Sequence, residues 1–308
     1  MELKKFSISP ANEFKLCPRR FYNEYVLGYD VAVKPKHLIL GSIYDEALTK
    51  FDSDGYDKAL EYAYEKLGGR THDFVDFDFI LTHYYVPYSV HNPMPPIENG
   101  AQYGFGEKPY DGADWEITGY IDKLSSQEIR GSLEHIIVER KTTTQPIETN
   151  SEYWKKLDLD PQIRSYVWAM KKKGFKAGWV CYEVIRKINT TLVSGLDRSL
   201  PVEEYAESLE VWFRKHGHKK TIVAHKMFYV SEDMANEFME EHSMIREQVL
   251  KMECCGKAVL EHGYLESRAW YKHENSCKEY GGCPFNDVCK GKITLENERF
   301  SRTHKVLK

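Results

Sequence analysis

Two alternating runs, WEITGYIDKLSS at 115–126 and LEHIIVERKTT at 133–143, flank the polar turn QEIRGS and read as a strand pair. They constrain the fold most because charged residues interrupt strands that otherwise read as buried. Asp122 sits in the first run; Glu139, Arg140 and Lys141 sit in the second. Alternate residues of a strand share a face, so Glu139 and Lys141 project together with Ile137, while Val138 and Arg140 point the other way. Asp122 becomes their neighbour across the hairpin. A carboxylate and an ammonium on one face of a half-buried strand are costly without a purpose.

Two carboxylates suit a hard divalent cation held through oxygen. Such a cation lowers the pKa of a bound water and neutralises charge on a phosphate. A lysine beside it orients that water or stabilises a pentavalent transition state. Asp122, Glu139 and Lys141 are thus the minimum set for metal-dependent hydrolysis of a phosphodiester. A cross-strand salt bridge on a solvated sheet face is the plainer reading of the same loose pattern.

Ser9-Pro10 predicts a helix start, with the helix running through ANEFKLCPRRFYNEYVLG and disturbed at Pro18. GSIYDEALTKFDS at 41–53 and DKALEYAYEKL at 57–67 predict two more helices. Residues 71–113, rich in aromatics, His, Pro and Gly, predict an irregular insertion with short elements, either a substrate-facing lid or a loop packed on its own rings. Further on, Asp160 caps, Pro161 opens and Gly174 stops a helix. AGWVCYEVIRKI and HKMFYV predict strands, 231–256 a long helix, and the last fifty or so residues an irregular segment.

Seven cysteines are present, at 17, 181, 254, 255, 277, 283 and 289. The odd number and an inferred reducing compartment argue against a disulfide framework. Cys277, Cys283 and Cys289 fall within 13 residues, which suggests a metal site; Cys181, Cys254 and Cys255 read as packing or surface thiols.

GYIDKL…VERKTT resembles the core of the PD-(D/E)XK nuclease superfamily, in particular its RecB-like exonuclease group. Gln162-Ile-Arg-Ser-Tyr166 matches the Q-x-x-x-Y element of that group, both side chains lying on one helix face. Gly41-Ser-Ile-Tyr-Asp-Glu-Ala-Leu48 resembles the family's early helix, and Cys17-Pro-Arg-Arg-Phe-Tyr the cysteine segment of iron–sulfur members. The resemblance implies an α/β, restriction-endonuclease-like fold: a central mixed sheet flanked by helices, with N- and C-terminal segments joined by a metal cluster. It implies one domain over 1–308, with a helical part at 7–70, the insertion at 71–113, the nuclease core at 114–230, and a C-terminal helix and cysteine cluster at 231–308.

The same resemblance implies roles. Asp122, Glu139 and Lys141 would be catalytic. Mg2+ or Mn2+ would be held by Asp122, Glu139, Asp45 and the Arg140 backbone carbonyl. Gln162, Tyr166, Arg19 and Arg20 would contact DNA. Cys17, Cys277, Cys283 and Cys289 would hold a [4Fe-4S] cluster, as in AddB-type and CRISPR adaptation nucleases, with zinc on four thiolates the rival. This chain departs from the pattern at three places. Asp45 stands where the early helix usually has a histidine; an aspartate there favours Mg2+ where the histidine favours softer ions, and the other readings are that Glu46 or a neighbour takes the place or that Asp45 is only a surface helix residue. Ile121 replaces the signature proline before Asp122. The first gap of the cysteine trio is five residues instead of two.

At 308 residues and 42% apolar content, the chain can bury one large core. A net charge of -4 excludes a global basic field, so nucleic-acid contacts must be local. Candidates are Arg19 and Arg20, KKKGFK at 171–176 and RKHGHKK at 214–220. The rings of Phe74, Phe77, Phe79, Tyr84 and Tyr85 either stack unpaired bases or pack a core. There is no transmembrane-length apolar run and no signal-type apolar stretch, so the expected location is the cytoplasm, or a host cytoplasm if phage-encoded. No phosphate-loop motif is present, so unwinding would come from a helicase or recombination partner. The expectation is a metal-dependent DNA exonuclease acting on single strands or ends. The alternatives are an inactive DNA-holding scaffold and a nuclease subunit of a helicase or CRISPR adaptation complex.

Overall fold

The computed structural model describes residues 3–157, 160–261 and 269–303. Along the chain run α1 (Ile8–Leu16), α2 (Pro18–Phe21), β1 (Tyr29–Val31), α3 (Lys36–Asp54), α4 (Tyr56–Lys66), α5 (His72–Ile80), α6 (Val86–His91), β2 (Pro96–Glu107), β3 (Ile117–Ile129) and β4 (Ser132–Thr143). Then follow α7 (Glu152–Lys155), α8 (Pro161–Lys172), β5 (Ala177–Arg186), α9 (Val202–His216), β6 (Val223–Tyr229), α10 (Glu232–Glu261), α11 (Asn286–Cys289) and β7 (Phe300–Arg302). Two compact units divide the chain: Met1–Pro35 with Gly104–Gly119 and Asp233–Lys308, and Lys36–Tyr103 with Tyr120–Glu232.

In the first unit, α1 starts at Ile8, two residues before Pro10, which falls in the first turn where no N–H is needed. The helix stops because Pro18 pushes the residue before it out of helical geometry, and Cys17 is extended at φ -162°. Trp270 is fully buried against Phe14, Phe21 and Tyr22. β1 and β7 pair antiparallel, over a small core in which Phe285 stacks on Phe300 at 5.1 Å.

The five-stranded sheet has the order β2-β3-β4-β5-β6 and is mixed: β3/β4 and β5/β6 are antiparallel, β4/β5 parallel. The hairpin turns on Arg130-Gly131, both left-handed at φ 54° and 77°, as a two-residue loop between right-twisted strands requires. A parallel pair needs a crossover, and α8 forms part of it. Its punctuation is as expected: Asp160 accepts the Gln162 N–H at 2.9 Å, Pro161 opens, and Gly174 turns out at φ 86°. Helices bond to both faces of β4, α3 from Asp52 to Arg140 and α8 from Gln162 to Lys141.

The stretch 71–113, expected to be irregular, instead holds α5, a π-helical turn over Leu81–Tyr85, α6 and the sheet strand β2. Phe74, Phe77, Phe79 and Tyr85 are buried in one core with Tyr205, Leu209 and Trp212 of α9, and Tyr84 packs against it. These rings are core and not a base-stacking platform, because α9, which the sequence reading does not assign, covers them. Among the described residues no helix is long and apolar enough to cross a membrane.

Candidate active site

Pairing of Lys123 with Val138 carries Asp122 alongside Glu139 and Arg140, and Asp122 Oδ2 accepts the Arg140 backbone N–H at 2.7 Å. Asp45 reaches the same place from α3. Asp45, Asp122, Glu139, Arg140 and Lys141 line a cavity of about 310 Å³ with Gly41, Ser42 and Thr142. α3 comes close to β4 here: a Cβ at Gly41 would stand 3.3 Å from Thr142 Oγ1, a contact that asks the threonine side chain to give slightly.

Lys141 Nζ donates to Glu139 Oε1 at 2.5 Å and to Gln162 Oε1 at 3.0 Å. Gln162 Nε2 in turn donates to the Tyr166 hydroxyl at 2.6 Å, so the two α8 residues form a relay ending on the lysine. Asp160 accepts from the Tyr182 hydroxyl at 3.0 Å, and Tyr182 is the cross-strand partner of Glu139. Asp160 reads in the sequence only as helix punctuation, and Tyr182 gains meaning only from the strand register.

Charge is unevenly matched here. Burial, and then the neighbouring Asp122, push the Asp45 carboxyl up to about 7. Burial pushes Glu139 up to about 8, with Lys141 opposing and Asp122 adding. Asp122 is itself raised by burial, against the Arg140 N–H and the charges of Arg140 and Lys141. Burial would lower Lys141, but Glu139 holds it above its usual value. Asp45 Oδ1 and Glu139 Oε2 are buried with no hydrogen-bond partner among the described residues. Orphaned carboxylate oxygens of this kind are costly, and hard oxygen donors carrying excess negative charge fit Mg2+ or Mn2+. Among the described residues no group of three or more His, Cys, Asp or Glu is already arranged as a metal cage. The fit therefore lies in the donor set and its orphaned oxygens.

A larger recess of about 560 Å³ lies between α5 and α9, and two of its polar pairs are already made within it: Arg70 with Glu203 at 2.8 Å, His83 with Glu210 at 2.7 Å. None of the orphaned buried side-chain atoms found among the described residues lines it.

Arg19, Arg20, Cys17, Cys277, Cys283 and Cys289 belong to the other unit. His273 Nδ1 and Ser276 Oγ lie 3.0 and 2.6 Å from the Leu16 carbonyl oxygen, tying the C-terminal segment to the end of α1. Burial pushes the Cys283 thiol up to about 11 and also raises Cys289, with Cys17 and Cys277 adding to both rises; among the described residues no three of these thiols are grouped so as to hold a metal. Arg19 donates through Nε to the Trp270 carbonyl at 2.9 Å, and Arg20 pairs with Glu13 at 2.5 Å. In the basic run at 171–176, Lys171 faces Glu232 at 3.5 Å and Lys176 faces Glu134 at 2.8 Å.

No curated protein matches the chain. A crystal structure of a presumed exonuclease from Eubacterium rectale is similar at a TM-score of 0.46 and 11% identity, over 96% of this chain and 90% of that one. The model of one family matches residues 5–290, a span that takes in Asp45, Asp122, Glu139, Lys141, Gln162 and Tyr166. On that match the chain belongs to the PD-(D/E)XK nuclease superfamily.

Proposed function

We propose that this protein is a divalent-cation-dependent deoxyribonuclease of RecB-like type, an exonuclease acting on single strands or ends in recombination or repair. The observation that carries the reading is the pair of orphaned carboxylate oxygens, on Asp45 and Glu139, beside a lysine on the family's strand pattern. Asp45, Asp122 and Glu139, with the Arg140 carbonyl, would hold Mg2+ or Mn2+. The ion supplies a water of lowered pKa and neutralises charge on the scissile phosphate. Lys141 orients the attacking water and offsets negative charge as the phosphorus becomes pentavalent. Gln162 and Tyr166 fix the lysine's direction, which keeps its Nζ aimed at Glu139 when substrate is absent. The DNA backbone would follow local basic side chains, given the net charge of -4.

Cys17, Cys277, Cys283 and Cys289 would carry a [4Fe-4S] cluster that pins the C-terminal segment to α1, or zinc in its place. Iron, sulfide and zinc content of anaerobically purified protein decides between them. A helicase or CRISPR adaptation partner would appear by co-purification.

The test of the activity is digestion of end-labelled single- and double-stranded DNA with Mg2+ or Mn2+, by the wild type and by Lys141→Ala. Cleavage that needs the ion and is lost in the variant supports the reading, and the product ladder gives polarity. A second reading, an inactive DNA-holding scaffold, is favoured by Asp45 in the family histidine's place and by the lack of a ready-made cage among the described residues. It wins where wild type and variant bind DNA equally and neither cuts.

A further inference from the structure

We propose that Asp52 and Arg140 are positioning residues for the cation site, acting from the opposite face of the sheet; this rests on the nuclease reading above. The Arg140 side chain leaves β4 away from Glu139 and Lys141 and is only 3% exposed. Its Nε donates to Glu183 Oε2 at 2.7 Å, and its other end donates to Asp52 on α3. Lys123 Nζ donates to Asp52 Oδ1 at 3.3 Å and lies 3.9 Å from Glu183 Oε1. Tyr85 donates to Glu183 at 2.9 Å, and His225 Nε2 stands 2.8 Å from it. Glu183 lies directly across from Arg140 in β5, and His225 across from Glu183 in β6. Two carboxylates therefore face one guanidinium and one ammonium, with His225 beside them, so the fixed charges of the buried cluster balance.

Two links join this cluster to the site. Asp45 precedes Asp52 by seven residues, two turns along the same face of α3, so the Asp52–Arg140 contact sets the rotation at which Asp45 is presented. Thr49, between them, accepts from Arg140 at 3.5 Å and donates to the Asp45 carbonyl at 3.1 Å. The second link is the backbone: the Arg140 N–H holds Asp122 Oδ2 at 2.7 Å. One residue thus fixes the side chain of one carboxylate and the helix that carries another. Apolar side chains of equal volume would hold a core at least as well as buried ions. What they would not do is fix a helix rotation through a directional, two-ended contact.

The test is Mn2+ binding to the full chain, read as loss of the free-ion signal in electron paramagnetic resonance, with the thermal midpoint recorded beside it. Wild type is compared with Asp52→Leu and with the double variant Asp52→Leu, Lys123→Met. The single change breaks the contact and leaves an unbalanced cation; the second restores charge balance without restoring the contact. Expected is a loss of about 10–100-fold in Mn2+ affinity in both, with the thermal midpoint recovered in the double variant. A double variant that binds Mn2+ like wild type overturns the positioning role and leaves charge balance alone. Midpoint and affinity falling together in both variants reduce the contact to a fold-holding ion pair and also overturn it. Wild type that binds no Mn2+ overturns the nuclease reading, and this proposal with it.

Discussion

The two faces of β4 carry the same kinds of group in opposite electrostatic states. Glu139 and Lys141 share one face with Asp122 nearby; Arg140 shares the other with Glu183, Asp52 and Lys123. On the Arg140 face, burial would raise Glu183, yet Arg140, His225 and Lys123 outweigh it and hold the carboxyl well below the usual range. On the Glu139 face, one lysine serves several carboxylates; Glu139 rises to about 8 and Asp45 to about 7. Both sets are buried, so burial does not tell a site from a scaffold. What separates them is whether the charges are compensated. The balanced face is complete as it stands, while the unbalanced face leaves Asp45 Oδ1 and Glu139 Oε2 without a partner among the described residues.

The comparison breaks first under truncation of the balanced face. Arg140→Met strands Asp52 and Glu183 without their main cation, and stability falls by about 3–5 kcal/mol, read by urea denaturation at neutral pH. An Arg140→Met protein as stable as wild type would show the two faces to be energetically alike. Next in size is Glu139→Gln, which removes one under-compensated charge. Cleavage falls by about 10²–10³-fold or more, while the denaturation midpoint holds or rises, because a buried charge and its orphaned oxygen are relieved together. A Glu139→Gln protein that unfolds as readily as Arg140→Met would make Glu139 part of the scaffold.

pH sharpens the contrast. Asp45 and Glu139 have folded values, about 7 and about 8, above the ordinary 3.8 and 4.5. The stability they contribute is complete below those ordinary values and is lost as pH rises through about 7 and then about 8. Glu183, depressed, keeps its contribution over that whole range and loses it only in acid. The thermal midpoint in EDTA should therefore fall by several degrees between pH 5 and 9, and Mg2+ should remove most of that fall by binding the ionised carboxyls. A midpoint flat with pH in EDTA would show that these two groups are not raised.

Much of the Glu139–Lys141 face was legible in sequence because a period of two assigns faces without any tertiary knowledge. Asp122, Glu139 and Lys141 converge as read, and Asp160-Pro161 with Gly174 bounds α8. The other face was not legible. Lys123, Arg140, Glu183 and His225 lie on four different strands, and Asp52 on a helix; only the register joins them. The aromatic stretch after residue 71 failed for a related reason. α5 is apolar on several sides, so its period is blurred, and the α9 surface that buries it comes more than a hundred residues later.

The smallest expected effect concerns Asp45 itself. Its carboxyl is a hard oxygen donor, and burial and Asp122 already press it toward the neutral form. Asp45→His exchanges an acid for an imidazole that binds softer ions well and is uncharged near pH 7. The negative charge around Asp122 drops by one, and the ratio of Mn2+- to Mg2+-supported cleavage rises by roughly tenfold, or 1.4 kcal/mol. The Arg140 cluster does not touch the Asp45 side chain, so the denaturation midpoint should stay near wild type. Cleavage with an unchanged ion preference would place Asp45 outside the ligand set and leave Asp122 and Glu139 as the cation-holding carboxylates of the unbalanced face.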